Sequence, residues 1–256
     1  MTVLLVDIGN TRIKWATWHD GRLGAQEARE HSGWTQREIE RGMFAPSTRE
    51  LNRIVVASVA SERLNRAFSA AAQRMTALKA EFAISTRSAA GVTTRYVEPW
   101  RLGVDRFVAV IGAHHRARGR AACVINAGTT LTIELVDARG VHRGGAILPG
   151  RKLMVESLFR NTEGIERRAR GEAAGRGMFA RSTRAAIDRG AIYAAAALVD
   201  RAVREARAVL PAAPLVLLTG GAARQLVPLI RSKHVHVPDL VLRGLAVYAG
   251  LRLDLR

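Results

Sequence analysis

The sequence has a single cysteine, Cys123, among 256 residues, so it cannot form a disulfide within one chain. Its apolar runs are shorter than the roughly 18 residues that a membrane-spanning helix requires. The short apolar run at the N-terminus has neither the basic region nor the cleavage site of a signal peptide. These absences argue against a disulfide-stabilised secreted domain and against helical membrane spans. The sequence therefore predicts a folded cytoplasmic protein with no membrane partner.

Lysine is also scarce, because only four of the 40 basic residues are lysines and the other 36 are arginines. Acidic residues number only 22, which leaves a net charge of +18. The arginines are scattered rather than clustered, as a biased nucleotide composition of the genome would leave them. A basic surface for nucleic acid or for anionic substrates is the alternative. Composition does not choose between the two.

The stretch VLLVDIGNTRIKW, residues 3–15, predicts a hairpin with a polar turn. Its dense apolar run is typical of a strand that is covered on both faces, so Asp7 at the inner end of the strand needs a cationic partner. Gly9 and Asn10 favour the positive φ angles of a tight turn, and residues 11–18 alternate well enough to form the returning strand. Taken alone, such a turn is ordinary hairpin chemistry.

The same pattern recurs in ACVINAGTTLTIELVD, residues 122–137. Superimposing Asn126 on Asp7, an offset of 119 residues, also matches the glycine and a threonine of the two turns. The repeat predicts two α/β domains of similar architecture, 1–115 and 116–256. Backbone N–H groups at glycine-rich turns form concave anion sites, which indicates phosphate binding. A carboxylate at Asp7 suits phosphate if Mg²⁺ lies between them.

The rest of the chain predicts alternating strands and helices, with 48% apolar residues to form their core. Residues 213–226, APLVLLTGGAARQL, predict a buried strand that ends in small residues and opens a helix, a place where a nucleotide base and anionic groups fit. The other predicted elements are a strand at 52–60, a helix at 61–75 capped by Ser61, a strand at 81–85, a loop at 91–105, a helix at 106–118 and a long apolar-striped helix after Thr183.

The motifs DIGNT, NAGTT and LTGGAA together resemble the first phosphate, second phosphate and adenosine motifs of the superfamily of acetate and sugar kinases, heat-shock chaperones and actin. Within it, the short length and the runs YVEPWRLGVDR (96–106), GGAILPG (144–150) and STRAAIDRG (182–190) are similar to type III pantothenate kinases. The resemblance extends from Asp7 to about Tyr248. It implies two duplicated ribonuclease H-like domains with a nucleotide cleft between them, and a homodimer.

The activity that the resemblance implies is phosphorylation of pantothenate by ATP, the first step of coenzyme A synthesis. Asp105 would be the catalytic base, and Asp7 would hold Mg²⁺ through water. The residues that would bind ATP are Asp7, Ile8, Gly9, Asn10, Thr11, Arg12, Ile13, Lys14, Gly128, Thr129, Thr130, Gly220 and Gly221. Those that would bind pantothenate are Tyr96, Gly103, Val104, Asp105, Arg106 and Thr183.

Simple structural roles compete with several of these assignments. Asp105 precedes a predicted helix, where an Asp N-cap contributes about 1 kcal/mol, although the motif around it favours catalysis. Thr183 would equally cap the helix that follows it. Arg106 suits a carboxylate or a phosphate, but it is also one arginine among 36.

Asn126 departs from the family pattern. The family usually has Asp there, and that carboxylate binds an activating monovalent cation, K⁺ or NH₄⁺. Asn126 retains an oxygen ligand without the charge, so cation affinity should fall and K⁺ dependence is in doubt. With the basic charge, the substitution also raises a competing hypothesis: a non-enzymatic accessory transcription factor of the same fold that binds nucleic acid or protein.

Overall fold

The computed structural model describes residues 1–31, 33–44, 51–162, 164–169 and 177–253. Its strands are β1 (Thr2–Ile8), β2 (Arg12–His19), β3 (Arg22–Leu23), β4 (Glu27–Glu30), β5 (Arg53–Ser58), β6 (Ala80–Phe82), β7 (Ser88–Ala89), β8 (Val92–Thr94), β9 (Ala122–Ala127), β10 (Thr130–Val136), β11 (Val141–Pro149), β12 (Leu215–Thr219) and β13 (Val235–His236). Its α-helices are α1 (Gln36–Ile39), α2 (Glu62–Thr76), α3 (Val104–Ala117), α4 (Arg151–Asn161), α5 (Ile165–Arg168), α6 (Thr183–Val209), α7 (Ala223–Leu226) and α8 (Leu240–Tyr248). A π-helical turn at Glu40–Phe44 follows α1, and a 3₁₀ helix at Pro99–Arg101 precedes α3.

The chain divides into two compact units that are not simple halves. Unit 1 comprises Met1–Gly119, Ala138–Arg143 and Asp239–Arg256, and unit 2 comprises Arg120–Asp137 and Gly144–Pro238. Two later segments therefore join the first unit. The division at residues 115 and 116 that the sequence suggests stays a prediction.

Each unit is built on a mixed sheet with the same strand order. The order is β3-β2-β1-β5-β6 in unit 1, where β4 also pairs with β2, and β11-β10-β9-β12-β13 in unit 2. In both sheets the first two strands are antiparallel, and a later strand, β5 or β12, returns parallel to the first. The shared topology confirms the predicted fold class, an α/β protein of duplicated ribonuclease H-like domains.

Helix α2 covers one face of the sheet in unit 1, as its pattern predicts. The Ser61 side chain accepts a hydrogen bond from the backbone N–H of Leu64 at 3.4 Å, so the predicted cap is confirmed. Its apolar residues recur at helical spacing, which places them together against the strands. The buried residues of α2 are Leu64, Phe68, Ala71 and Ala72.

Helices α3 and α8 pack against each other at glycines in unit 1. A Cβ added to Gly112 of α3 would come within 2.8 Å of the carbonyl oxygen of Leu240 and 2.9 Å of the amide nitrogen of Gly244. A Cβ on Gly244 would overlap the carbonyl of Val108. The two backbones approach this closely only because neither position has a side chain. Helix α3 is thereby fixed, together with the predicted site residues in its first turn.

In unit 2 the long helix α6 packs on the sheet through small residues, and its predicted existence is confirmed. The stripe includes Ala195, Ala196, Val199 and Val203, which lie in one cluster with residues of β9, β10 and β12. The cluster also contains Cys123, the free thiol. Burial, followed by the charge of Glu134, raises the pKa of Cys123 to about 12, so this thiol is unreactive at neutral pH.

Candidate functional site

The turn between β1 and β2 presents its polar residues at the surface. The amide N–H of Gly9 donates to the carbonyl of Arg12 at 3.0 Å, and Asn10, Thr11 and Arg12 are exposed. Neither Gly9 nor Asn10 has a positive φ, so that part of the prediction was wrong. A two-residue hairpin turn demands positive φ, whereas this turn spreads the reversal over four residues.

The turn between β9 and β10 is built in the same way but is one residue shorter. Asp7 pairs with Lys14, seven residues on, whereas Asn126 pairs with Thr132, six residues on. The amide of Gly128 donates to the carbonyl of Thr130 at 2.9 Å. In this register Thr129, not Thr130, takes the position of Thr11. Both turns therefore present a glycine and a threonine. The sequence offset of 119 matches the two glycines correctly but misaligns the threonines by one residue.

Asp7 lies at the buried end of β1 with a lysine as its partner. The side chain of Asp7 is only 7% exposed, and the Lys14 Nζ lies 3.3 Å from its Oδ2. Burial raises the pKa of Asp7, and the charge and hydrogen bond of Lys14 oppose that rise. The cationic partner that the sequence demanded is therefore present. Because burial still outweighs Lys14, the ionised carboxylate would gain from a further cation.

The second turn packs closely against the backbone of Gly150, the residue before α4 in unit 2. The Gly150 amide donates to Thr129 O at 2.9 Å, and a Cβ on Gly150 would come within 2.6 Å of the same oxygen. The next residue, Arg151, pairs with Asp188 of α6 and donates to the Oε1 of Gln225 in α7 at 2.9 Å. The start of α4 thus ties the second turn to two other helices.

The predicted adenosine motif lies against the C-terminal end of β9, where the second turn begins. Gly220 has a φ of +96°, and a Cβ there would come within 2.6 Å of the Oδ1 of Asn126. The amide of Ala222 donates to Ala127 O at 2.9 Å. Gly221 is exposed beside this contact. Helix α7, however, has only four residues, so the helix dipole that the sequence suggested there is small.

In unit 1, Asp105 lies in the first turn of α3 and is not its N-cap. The N-cap is Gly103, so the capping interpretation of Asp105 was wrong. The Oδ1 of Asp105 accepts a hydrogen bond from the backbone N–H of Arg106 at 2.8 Å. A Cβ on Gly103 would lie 2.8 Å from this Oδ1, so the glycine makes room for the carboxylate. An acidic side chain is also favoured here by the helix dipole.

Arg106, Tyr96 and His142 form a stack beside Asp105. The Arg106 guanidinium lies over the Tyr96 ring, 5.6 Å from its centroid, and the Tyr96 ring stacks on His142 at 5.9 Å. His142 is fully buried, and its Nδ1 lies 3.0 Å from the Oγ1 of Thr94. Arg106 is only 7% exposed, so it is not one more surface arginine. The structure therefore places Tyr96 and Arg106, two of the predicted pantothenate-binding residues, in contact with each other.

Arg87 holds the loop that carries Tyr96. Its Nη1 donates to the carbonyls of Thr94 at 3.0 Å and Tyr96 at 2.7 Å, and its Nη2 donates to that of Val97 at 3.0 Å. The predicted loop at 91–105 is accordingly more ordered than its sequence indicated, since it contains β8 and the 3₁₀ helix.

Four further predicted residues either begin a helix or have buried side chains. Thr183 is the first residue of α6, in unit 2, but the cap is Ser182, which accepts from the amide of Ala185 at 3.3 Å. The capping interpretation of Thr183 was therefore wrong by one position. The side chains of Ile8, Ile13 and Val104 are buried, which leaves only backbone groups for a ligand.

Sequence reasoning missed Arg87, His142 and also His31, which touches the first turn through a hydrogen bond from its Nε2 to Gly9 O at 2.8 Å. No motif surrounds these residues. The available signal was indirect, since a polar turn and a polar loop each need partners for their backbone carbonyls.

Among the described residues, no helix is long and apolar enough to span a membrane, and no three His, Cys, Asp or Glu side chains form a metal-binding group.

Comparison with known proteins gives one consistent result. A family model described as type III pantothenate kinase matches residues 3–205. A type III pantothenate kinase of Nitrosococcus oceani is 35% identical over 248 residues, 95% of this chain and 92% of that protein. Two solved structures share the fold. One is a Campylobacter jejuni protein described as a Baf family transcriptional activator, 18% identical, with a TM-score of 0.60 over 96% of this chain and 97% of that one. The other is the activator of 2-hydroxyisocaproyl-CoA dehydratase from Clostridium difficile with bound ADPNP, 14% identical, with a TM-score of 0.52 over 97% and 94%.

Proposed function

The chain belongs to the type III pantothenate kinase family, and from that premise we propose how its residues carry out the reaction. The reaction is ATP-dependent phosphorylation of pantothenate to 4'-phosphopantothenate, the first step of coenzyme A biosynthesis. The protein is therefore a kinase whose substrates are ATP and pantothenate. The match to the family over residues 3–205 carries this conclusion, and an assay for phosphopantothenate with the purified chain tests it.

Asp105 is proposed to accept the proton of the primary hydroxyl of pantothenate as the γ-phosphoryl group is transferred to its oxygen. A carboxylate can do this only within hydrogen-bond reach of the hydroxyl. The contact of Asp105 Oδ1 with the next backbone amide supports this role, because it holds the carboxylate in one orientation. Most of the rate enhancement of phosphoryl transfer comes from positioning and electrostatics.

Arg106 is proposed to bind the carboxylate of pantothenate or the transferred phosphoryl group. The guanidinium is always charged, and its fork suits planar anions. Its stacking on Tyr96 supports this role by restricting where the cation can go. Gly103 and Val104 contribute backbone, and Thr183 contributes a hydroxyl.

The two glycine turns are proposed to hold the phosphates of ATP through backbone N–H groups. Residues from Gly9 to Lys14 form the first turn and its exit strand, and Gly128 to Thr130 form the second. Their common hydrogen-bond pattern supports a common ligand chemistry. Gly220 and Gly221 are proposed to lie beside the adenosine, where the absence of side chains lets a flat base approach the backbone.

Mg²⁺ is proposed to be held by Asp7 through water. A single buried carboxylate fits this ion, which usually keeps several waters and uses one or two carboxylates together with substrate phosphates. The raised pKa of Asp7 supports the fit, because a burial penalty that Lys14 does not cancel favours a second cation. When bound, the ion would neutralise charge on the phosphates.

We predict that Asn126→Asp will strengthen activation by K⁺. The amide oxygen of Asn126 faces the Gly220 turn and retains one ligand atom, but it lacks the charge that would bind a monovalent cation firmly. Restoring the carboxylate should lower the K⁺ or NH₄⁺ concentration for half-maximal activity by about tenfold. Asn52→Asp, at an exposed position just before β5, is the matched control. An unchanged K⁺ titration removes Asn126 from the cation site.

We predict that Arg87→Lys will raise KM for pantothenate by about tenfold and leave KM for ATP nearly unchanged. An ammonium cannot reproduce all three directed hydrogen bonds to the carbonyls of the loop that carries Tyr96. Loss of one or two of them, at about 1 kcal/mol each, corresponds to the tenfold change. Arg66→Lys on α2, whose guanidinium forms an exposed ion pair with Glu62, is the matched control. If both Michaelis constants stay the same, the loop does not need Arg87.

A homodimer and a cytoplasmic location are further proposals. Exposed apolar side chains at Leu153, Leu158 and Phe179 of unit 2 support a contact between copies. Light scattering on the purified protein measures its mass directly. The competing hypothesis of a non-enzymatic transcription factor has no support, because likeness at 18% identity shows the fold alone. Salt-sensitive DNA binding with no turnover would revive it.

A further inference from the structure

His31 binds the backbone of the first turn at two places. Its own amide donates to the carbonyl of Thr11 at 2.9 Å, and its ring Nε2 lies 2.8 Å from the carbonyl of Gly9. On the other side of the ring, the amide of Gly33 donates to Nδ1 at 3.3 Å. A carbonyl only accepts and an amide N–H only donates. The ring is therefore held as the neutral tautomer with its proton on Nε2.

These contacts determine which way two amide N–H groups of the turn point. In a trans peptide the C=O and the N–H point in opposite directions, and the described chain has no cis peptide bonds. Fixing the Gly9 carbonyl against His31 therefore turns the N–H of Asn10 away from the ring. The Thr11 carbonyl is held by the backbone amide of His31, and the N–H of Arg12 therefore points away from that amide.

The ring is itself held from behind. Arg63, in the first turn of α2, donates through Nη2 to the carbonyl of Gly33 at 2.8 Å. Gly33 has a φ of +73°, which favours glycine, and a Cβ there would overlap the Arg63 guanidinium. A continuous path of hydrogen bonds thus runs from α2 through Gly33 and His31 to the turn, so that the ring cannot rotate without breaking one of them.

We propose that His31 is a positioning residue for ATP: its imidazole orients the backbone N–H of Asn10 toward the nucleotide phosphate before ATP binds. The inference rests on the proposed role of the first turn in phosphate binding. His31 itself does not contact the substrate. Its contribution is preorganisation, since a peptide already turned toward the anion costs nothing to reorient during binding.

The test compares three variants of His31 by steady-state kinetics. His31→Ala removes the donor to Gly9 and should raise KM for ATP by about tenfold, with KM for pantothenate unchanged. His31→Gln places an amide N–H near the position of Nε2 and should return KM for ATP to within about threefold of the parent. His31→Asn is too short to reach Gly9 and should behave like the alanine variant.

The control is His19→Ala, which removes a largely exposed imidazole that pairs with Asp20, and it should change neither KM. Melting temperatures of all variants identify any that fail to fold. The KM for ATP of His31→Gln is then compared with that of His31→Asn, which decides whether the donor at Nε2 matters. The proposal is wrong if His31→Asn keeps the parental KM for ATP, or if both amide variants raise it equally. Failure of the parent protein to phosphorylate pantothenate would instead refute the proposed function, so the two failures are distinguishable.

Discussion

Asp105→Asn is expected to lower kcat by at least about 100-fold while the protein stays folded. Asparagine has nearly the same shape as aspartate, and its Oδ1 can still accept from the backbone N–H of Arg106, as Asp105 does at 2.8 Å. It is a far poorer proton acceptor, so it cannot take the hydroxyl proton of pantothenate. A coupled assay for ADP in the presence of pantothenate measures the effect, and circular dichroism checks the fold.

The control for this variant is Asp20→Asn, at an exposed position 71% accessible in its side chain. It removes the same charge from unit 1 and should leave kcat within about twofold of the parent, because exposed ion pairs contribute little. Comparing kcat with KM for pantothenate distinguishes a base from a residue that only binds substrate, since loss of a base lowers kcat more than it raises KM. Turnover of Asp105→Asn at the parental rate would exclude Asp105 as the base.

Gly244→Ala is expected to destabilise the protein by about 3 kcal/mol or more and to reduce the yield of folded protein. The added methyl group would overlap the carbonyl oxygen of Val108, which is part of the rigid backbone of α3 and cannot rotate away as a side chain would. The helices must then separate, and the apolar side chains between α3 and α8 lose contacts. Urea unfolding followed by far-ultraviolet circular dichroism gives the change in the free energy of unfolding.

Gly190→Ala provides a matched control for that substitution. Gly190 also lies within a helix, α6, but a Cβ there would meet nothing within 4 Å. Alanine favours the helix over glycine by about 1 kcal/mol, so this variant should be slightly more stable than the parent. If Gly244→Ala were equally benign, the close approach of α3 and α8 would not be essential.

Regular elements and their duplication were predictable from the sequence because they depend on local patterns. The apolar run into Asp7, the alternation after it and the helical spacing from Leu64 to Ala72 specify strands and a helix without knowledge of the partner. The recurrence of the first pattern at Asn126 then indicates duplication. Both conclusions agree with the common strand order of the two sheets.

Turn geometry was less predictable, because it depends on register between strands. The sequence alignment of the two turns has no gap, yet the paired residues show that the second turn is one residue shorter. A helix boundary shifts as easily. The sequence allowed Asp105 and Thr183 as N-caps, but the N-caps are Gly103 and Ser182, two residues and one residue earlier. Asp105 and Thr183 are therefore residues of the first helical turn.

The supporting residues could not be identified from the sequence, which indicated only that the turn and the loop need partners for their carbonyls. His31 and His142 act on groups that lie well away in the sequence, Gly9 for His31 and Tyr96 for His142, and Arg87 acts on three carbonyls of a loop that no motif marks. Polar side chains of these types are common on any surface. Only the folded chain shows which backbone groups they reach.

The partnership between α3 and α8 has a consequence for protein synthesis. The helix that carries Asp105 is made early, but the helix that it packs against, Leu240–Tyr248, follows only after residues 118–239 have been made. Until then, the nascent chain exposes an apolar face of α3 with nothing to cover it. We therefore expect ribosome-bound chains shorter than about residue 240 to be inactive and to depend on chaperones, so that a stalled or truncated message yields no partial kinase.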